Sequence, residues 1–139
     1  PTYEQVCFHG TGHAEAVRVV FDTTVTSAAN LVRLFFEIHD PTQAGGQGND
    51  IGDQYRSQIW TTTPDQLRDA TALRDAYQEA LTARGFGPIL TGISPAPDPE
   101  AAARFWYAED YHQQYLFKNP GGYECHARTG IACPALPRE

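Results

Sequence analysis

The sequence predicts an α+β fold: a two-layer sandwich with helices over one face of a sheet and a long coiled tail at the C-terminus. Three observations carry this. Strand-like alternations and helical periodicities interleave along the 139 residues. Two helical segments are long enough to cover one face. From 119 to 139 the periodicity stops, and glycine and proline recur. The length suits one domain with a substantial core, so 1–139 reads as a single domain and 119–139 as its tail.

The elements follow in order. Residues 14–21 alternate as a strand does. Thr26 or Ser27 can cap a helix in which Ala28, Leu31, Val32, Phe35 and Ile38 share a face, and Asp40-Pro41 ends it. A polar loop over 41–54 leads into a strand at 56–62. Thr63 caps the next helix, Pro64 is its first residue, and Gln66 completes a capping box. Its apolar stripe runs through Leu67, Ala70, Leu73 or Ala76, Tyr77 and Leu81 to a stop at Gly85. A short strand is expected at 88–93, an irregular connection at 94–99 and an extended aromatic run at Phe105-Trp106-Tyr107. A short helix over 109–118 ends at Asn119-Pro120-Gly121-Gly122. There is no internal repeat and no low-complexity segment.

Composition narrows the function classes. Apolar residues make up 41% and charged residues 19%, as in an ordinary globular protein. The net charge of −7, with scattered basic residues, argues against nucleic acid or an anionic membrane as partner. No apolar run has the length of a membrane span, and no signal or transit segment opens the chain. A cytoplasmic location is the expectation. The three cysteines, Cys7, Cys125 and Cys133, are too few for a disulfide scaffold. They read either as free thiols in a reducing compartment or, for Cys125 and Cys133 in their glycine-bearing tail, as redox groups. Methionine is absent, and Pro1 fits removal of an initiator methionine as well as any other start.

Two polar segments bring ionisable groups to the starts of strands. Gly48-Asn49-Asp50-Ile51-Gly52-Asp53-Gln54-Tyr55-Arg56-Ser57 carries Asp50 and Tyr55, and Thr11-Gly12-His13-Ala14-Glu15 carries Glu15. Loops held by a scaffold are where binding and catalysis concentrate. A glutamate beside His13, Tyr3 and Val17 would be desolvated and hold its proton towards neutrality. The plainer alternative is a solvated Glu15 and packing tyrosines. Cys7, His9, His13 and Glu15 have the ligand types for zinc, but their spacing fits no strong template, so no metal is expected. A Pro1 amine near Tyr3 and Glu15 is a further base or nucleophile to weigh. His39 and Asp40 are explained by ending a helix, and a solvated or structural His112 is the default.

In order along the chain stand Pro1-Thr2-Tyr3-Glu4-Gln5-Val6-Cys7, Thr11-Gly12-His13-Ala14-Glu15-Ala16-Val17, His39-Asp40-Pro41-Thr42-Gln43, Gln47-Gly48-Asn49-Asp50-Ile51-Gly52, Gln54-Tyr55-Arg56-Ser57 and Ala108-Glu109-Asp110-Tyr111-His112-Gln113-Gln114-Tyr115-Leu116. This succession resembles the methionine sulfoxide reductase A family from the first residue to the last few. The resemblance implies a mixed sheet with covering helices and a long coiled tail. It implies an oxidoreductase for methionine-(S)-sulfoxide, free or protein-bound, that works by thiol, sulfenic acid and disulfide chemistry without a cofactor. Glu15 would be the acid, Tyr3 and Tyr55 the hydroxyl donors to the sulfoxide oxygen, and Asp50 an orienting group acting through water. Cys125 and Cys133 match the resolving and recycling cysteines, with thioredoxin as reductant. The local match is imperfect, because Glu124 and His126-Ala127-Arg128 replace a more glycine-rich run.

The family's nucleophile lies in a Gly-Cys-Phe-Trp-Gly motif upstream of the Pro-Thr-Tyr segment, and these 139 residues do not contain it. On this reading the domain is N-terminally short. The nucleophile, with the strand and helix that accompany it, is expected from an N-terminal piece or a second chain, or the nucleophile is Cys7. Val6-Cys7-Phe8-His9-Gly10 echoes the motif in another register, but Cys7 matches a non-catalytic family position and reads more simply as a packing thiol. With the family's aromatic pair missing, 105–107, Trp106 above all, would border a pocket for the substrate methyl. Two alternatives stand beside the reductase. One is a non-redox acid–base enzyme using Glu15, Tyr3, Asp50 and Tyr55 on another small molecule. The other is a non-catalytic sulfoxide binder.

Overall fold

Two helices, packed on each other and on a parallel pair of strands, hold the core. The computed structural model describes residues 2–8, 10–96, 105–125 and 127–137. The Pro1 amine, His9, His126 and the second half of the 94–99 connection lie outside them. In chain order the elements are α1 (Tyr3–Cys7), α2 (Ala28–Glu37), β1 (Gly46–Gln47), β2 (Asp50–Ile51), β3 (Gln58–Thr61), α3 (Pro64–Thr82), β4 (Gly92–Pro95) and α4 (Tyr115–Lys118), with a 3-10 turn at Asp53–Tyr55. The α+β class is observed. The strands form two separate two-stranded sheets: β1 and β2 pair antiparallel as a hairpin, and β3 and β4 pair parallel with Gln58 opposite Gly92.

Local sequence sets the helix ends. Ser27 caps α2, accepting from the Asn30 N–H. Thr63 caps α3 through the Gln66 N–H, with Pro64 in the first turn. The Gln66 side chain does not return to Thr63 as a capping box would; its Oε1 accepts from the N–H and hydroxyl of Thr62, 2.8 and 3.0 Å away. α3 closes in a Schellman arrangement. The Phe86 N–H reaches Leu81 O and the Gly85 N–H reaches Thr82 O, with Gly85 at φ +84°.

Ala70, Leu73, Tyr77 and Leu81 of α3 are fully buried, as their spacing predicts. Phe36 of α2 lies against them, its ring 5.7 Å from Tyr77. Burying side chains of this size is worth about 1.5–3 kcal/mol each. The α2 face is rotated from the expected one: Ala29, Val32 and Phe35 flank Phe36, whereas Ile38 is exposed. A helix meets its partner along the line that packing selects, and two adjacent stripes of α2 are apolar enough to serve.

Other expectations give way for identifiable reasons. Residues 14–21 run without regular structure. Among the described backbone bonds outside regular elements, this run makes one, from the Glu15 N–H to Gln54 O at 2.8 Å, and Val17 and Val20 are each 89% exposed. Alternation fits a pleat, but a strand also needs a neighbour for its N–H and C=O groups. The 41–54 loop contains the β1–β2 hairpin, turned at Gly48. The strand expected at 88–93 begins at Gly92, because the Ile89 N–H is taken by Gln78 Oε1 and the Leu90 N–H by Pro41 O. The helix expected over 109–118 is a set of turns followed by α4. Gln114 sits at φ +53°, which breaks the helical path. Residues 105–107 form no strand. Phe105 and Tyr107 meet edge to face, and the Arg18 guanidinium lies 5.2 Å from each ring centre.

Among the described residues the tail from 119 onward is coil, but it is docked. Tyr77 places its hydroxyl 2.7 Å from that of Thr129 and 2.9 Å from Ile131 O, and Ile131, Cys133 and Leu136 join the core. No helix among the described residues is long and apolar enough to cross a membrane.

Candidate active site

Three segments meet around Glu15: α1, the 11–15 run, and the hairpin with its 3-10 turn. Arg56 ties two of them together. Its guanidinium donates to the carbonyls of Gly12, His13 and Asp53 at 3.0–3.1 Å. The Glu15 N–H to Gln54 O bond adds a third link between them, after those to Gly12 and His13, and Gln47 Nε2 holds the Tyr55 carbonyl at 2.9 Å. Glu15 thereby sits beside the Tyr55 turn, and Asp50 approaches from β2.

The electrostatics follow from this crowding. The Glu15 residue is exposed as a whole, yet its carboxyl is enclosed enough for desolvation to raise its pKa. The Asp50 carboxylate raises it further, and His112 opposes both. The histidine that matters to Glu15 is His112, not the nearby His13, whose carbonyl is occupied by Arg56. Tyr55 is raised by desolvation and by the Glu15 and Asp50 carboxylates. Tyr3 is raised chiefly by the Cys7 thiol against its hydroxyl, one helical turn along α1. Both phenols therefore stay protonated near neutrality and act as donors.

Tyr3, Cys7, Glu15, Asp50 and Tyr55 are thus assembled into one cluster. Cys7 is the thiol of this cluster and faces Tyr3. Cys125 lies at its edge, with its Sγ 3.5 Å from Gln47 O and packed on Gly48, two residues from Asp50. Cys133 lies apart. It is 1% exposed within the core, and desolvation pushes its thiol up to about 11. Glu37 Oε1 accepts its N–H at 2.8 Å, and Arg33 Nε donates to its carbonyl at 3.0 Å. Trp106 is 68% exposed, and no described contact joins it to the cluster. Among the described residues, no group of three or more His, Cys, Asp or Glu is placed to hold a metal ion.

Sequence reasoning passed over three members. His112 stacks on Tyr3 with ring centres 5.5 Å apart, and Glu109 Oε2 holds its Nδ1 at 3.1 Å. The Tyr123 hydroxyl donates to Asp50 Oδ2 at 3.3 Å. Arg56 is the third. The acidic flank of His112 and the place of Tyr123 two residues before Cys125 were the signals available. Arg56 makes its hydrogen bonds to backbone carbonyls, which carry no side-chain signature to read.

A desolvated carboxyl beside Asp50, two protonated phenols and neighbouring thiols suit protonation of an oxygen during thiol chemistry. Comparisons with known proteins identify the family. Residues 1–136 match the family described as Peptide methionine sulfoxide reductase. The chain is 54% identical over 134 residues to the peptide methionine sulfoxide reductase MsrA of Rhodospirillum centenum, covering 96% of this chain and 58% of that protein. It is also 54% identical to the protein of that name from Streptomyces griseus, with 96% and 59% covered. The chain therefore spans a little under three fifths of the curated relatives it matches. Among solved structures, methionine sulfoxide reductase A of Corynebacterium diphtheriae superposes with a TM-score of 0.78 at 44% identity, over 99% of this chain and 66% of that one. Mxr1 from Saccharomyces cerevisiae in reduced form gives 0.77 at 35% identity, over 91% and 65%. With a family match over residues 1–136, relatives at 54% identity and solved structures of like fold, the chain belongs to the peptide methionine sulfoxide reductase family, and within it resembles the MsrA members.

Proposed function

We propose that this cluster binds methionine-(S)-sulfoxide and serves its reduction to methionine. The observation that carries the reading is Glu15, whose carboxyl is held towards its protonated form beside the protonated phenols of Tyr3 and Tyr55. The sulfoxide oxygen accepts from Glu15 and the two phenols, while Asp50 orients the site. A cysteine thiolate attacks the sulfoxide sulfur and Glu15 gives its proton to the oxygen. The S–O bond to methionine breaks, and the oxygen passes to the cysteine as a sulfenic acid. A second thiol attacks that sulfur, releasing water and leaving a disulfide. A dithiol reductant of the thioredoxin type supplies the two electrons that restore the thiols.

Within these residues the thiol of the cluster is Cys7, and the edge thiol is Cys125. In the family the first role belongs to the Gly-Cys-Phe-Trp-Gly cysteine, which this sequence does not contain. The test is turnover of N-acetyl-methionine-(S)-sulfoxide methylamide with dithiothreitol, alongside saturable binding of the same compound. Turnover lost in Cys7→Ser assigns the attack to Cys7. Binding without turnover, weakened in Glu15→Gln, leaves the chain as the binding half of the reaction. No binding at any pH from 5 to 8 overturns the proposal.

A further inference from the structure

We propose that His112 is a positioning residue of this site: seated between Tyr3 and Tyr111 and oriented by Glu109, it fixes the Tyr3 ring and sets the charge that Glu15 faces. The inference rests on the proposed function for its meaning, but its geometry stands independently. The His112 ring is 4.3 Å from that of Tyr111 and 5.5 Å from that of Tyr3, both tilted. It therefore joins the turn after Ala108 to α1 by an aromatic contact. Its Nδ1 faces Glu109 Oε2 at 3.1 Å, which fixes the ring plane and favours a proton on that nitrogen. The turn itself is built by the His112 and Gln113 N–H groups on Glu109 O, and Lys118 Nζ donates to Asp110 O.

The charged surroundings come from every element that meets this ring. Glu109 faces it from its own turn. From α1 come Tyr3, and Glu4 and Cys7, which act on the adjoining Tyr111. From the 11–15 run comes Glu15, with Asp50 and Tyr55 behind it. Four carboxyl groups stand around this one imidazole. A positive charge on it favours the Glu15 carboxylate; its absence favours the acid. A single side chain thus does two separable things, one through its ring and one through its charge.

Two variants of the 139-residue chain separate them. His112→Phe keeps the stack and removes the charge. His112→Ala removes both. The pH titration of the Glu15 side-chain carboxyl is followed by 13C NMR without ligand, and the Tyr3 ring resonances report the stack. In His112→Phe the Glu15 midpoint is expected to rise by at least about half a pH unit, with the Tyr3 shifts little changed. In His112→Ala the midpoint rises likewise, the Tyr3 resonances move towards random-coil values, and affinity for N-acetyl-methionine-(S)-sulfoxide methylamide falls about tenfold. An unmoved Glu15 midpoint in His112→Phe overturns the charge role. Unmoved Tyr3 resonances in His112→Ala overturn the positioning role. If His112→Ala does not fold, His112→Gln replaces it for the ring readout. A wild-type chain that fails to bind the sulfoxide refutes the proposed function, while the ligand-free titration still decides on His112.

Discussion

The Cys133 amide donates to Oε1 of Glu37 at 2.8 Å, so the last turn of α2 holds the second tail thiol against the core. Arg33 takes the carbonyl of the same residue from one turn earlier. A thiol pushed to about 11 and closed in on all sides is a poor nucleophile until the tail undocks. In a timed iodoacetamide reaction read by mass spectrometry at pH 8, Cys125 should alkylate well before Cys133. Glu37→Ala should speed Cys133 by about tenfold, the value of one charge-assisted hydrogen bond near 1.4 kcal/mol. Glu37→Gln, which keeps the acceptor, should have a smaller effect. Equal rates in wild type and Glu37→Ala would show that the clamp does not govern access.

Gly48 governs the other tail thiol. It sits at φ +58°, and a Cβ there would lie 2.6 Å from Cys125 Sγ and 3.0 Å from Ala127 Cβ. Gly48→Ala should cost about 1–2 kcal/mol from the left-handed backbone alone, measured by urea unfolding. It should also push Cys125 and Ala127 off the hairpin and raise Cys125 alkylation. A destabilised variant with unchanged Cys125 reactivity would separate backbone strain from docking.

His39 makes the fold acid-sensitive. Its ring is buried, with Nδ1 donating to Phe35 O at 2.7 Å and Nε2 facing the Ser57 hydroxyl at 2.8 Å; Ser57 in turn lies 2.7 Å from Thr91 Oγ1. Desolvation lowers its pKa despite the Phe35 bond. The unfolded chain then takes up a proton that the folded chain resists. The His39 contribution is constant above about pH 6.5 and turns against folding as pH falls from there towards the lowered value. Melting temperature should drop between pH 7.5 and 5.5, and His39→Gln, less stable at neutrality, should lose much of that slope. A parallel slope in both proteins would assign the acid sensitivity elsewhere.

Glu15 carries the opposite sign. Its folded pKa is raised, so the folded chain holds a proton that the unfolded chain has released. Its effect is absent below the ordinary carboxylate value near 4.3 and opposes folding as pH rises through the raised value. Glu15→Gln should therefore gain stability relative to wild type at pH 7 compared with pH 4, while sulfoxide binding weakens. Chemical denaturation at the two pH values checks this. A variant less stable than wild type by the same amount at both would mean that Glu15 is not held protonated.

How far the sequence revealed this structure depended on where the deciding partners lay. α3 was legible end to end, because Thr63, Pro64, the Ala70–Leu73–Tyr77–Leu81 stripe and Gly85 are all local signals. Residues 14–21 were not, since alternation reports a pleat and says nothing of a neighbour. The acid, the phenols and Asp50 came from motif order. His112 was set aside because its partners, Tyr3 and Glu15, are about a hundred residues away. Cys133 was placed in a coiled tail by its glycines, but its position in the core depends on Glu37 and Arg33 at comparable distances in sequence and on Tyr77 about half as far away.

Arg56, its guanidinium over the Trp60 ring, donates its hydrogen bonds to the carbonyl oxygens of Gly12, His13 and Asp53. Every residue type presents that group in the same way. Side chains at these three positions can thus drift without disturbing the distance between the acid-bearing run and the Tyr55 turn. Position 56 has no such latitude: a lysine offers one point of attachment where a planar fork reaches three. One side chain and the Glu15–Gln54 backbone bond space the two halves of the cluster, and of these only the side chain depends on residue type.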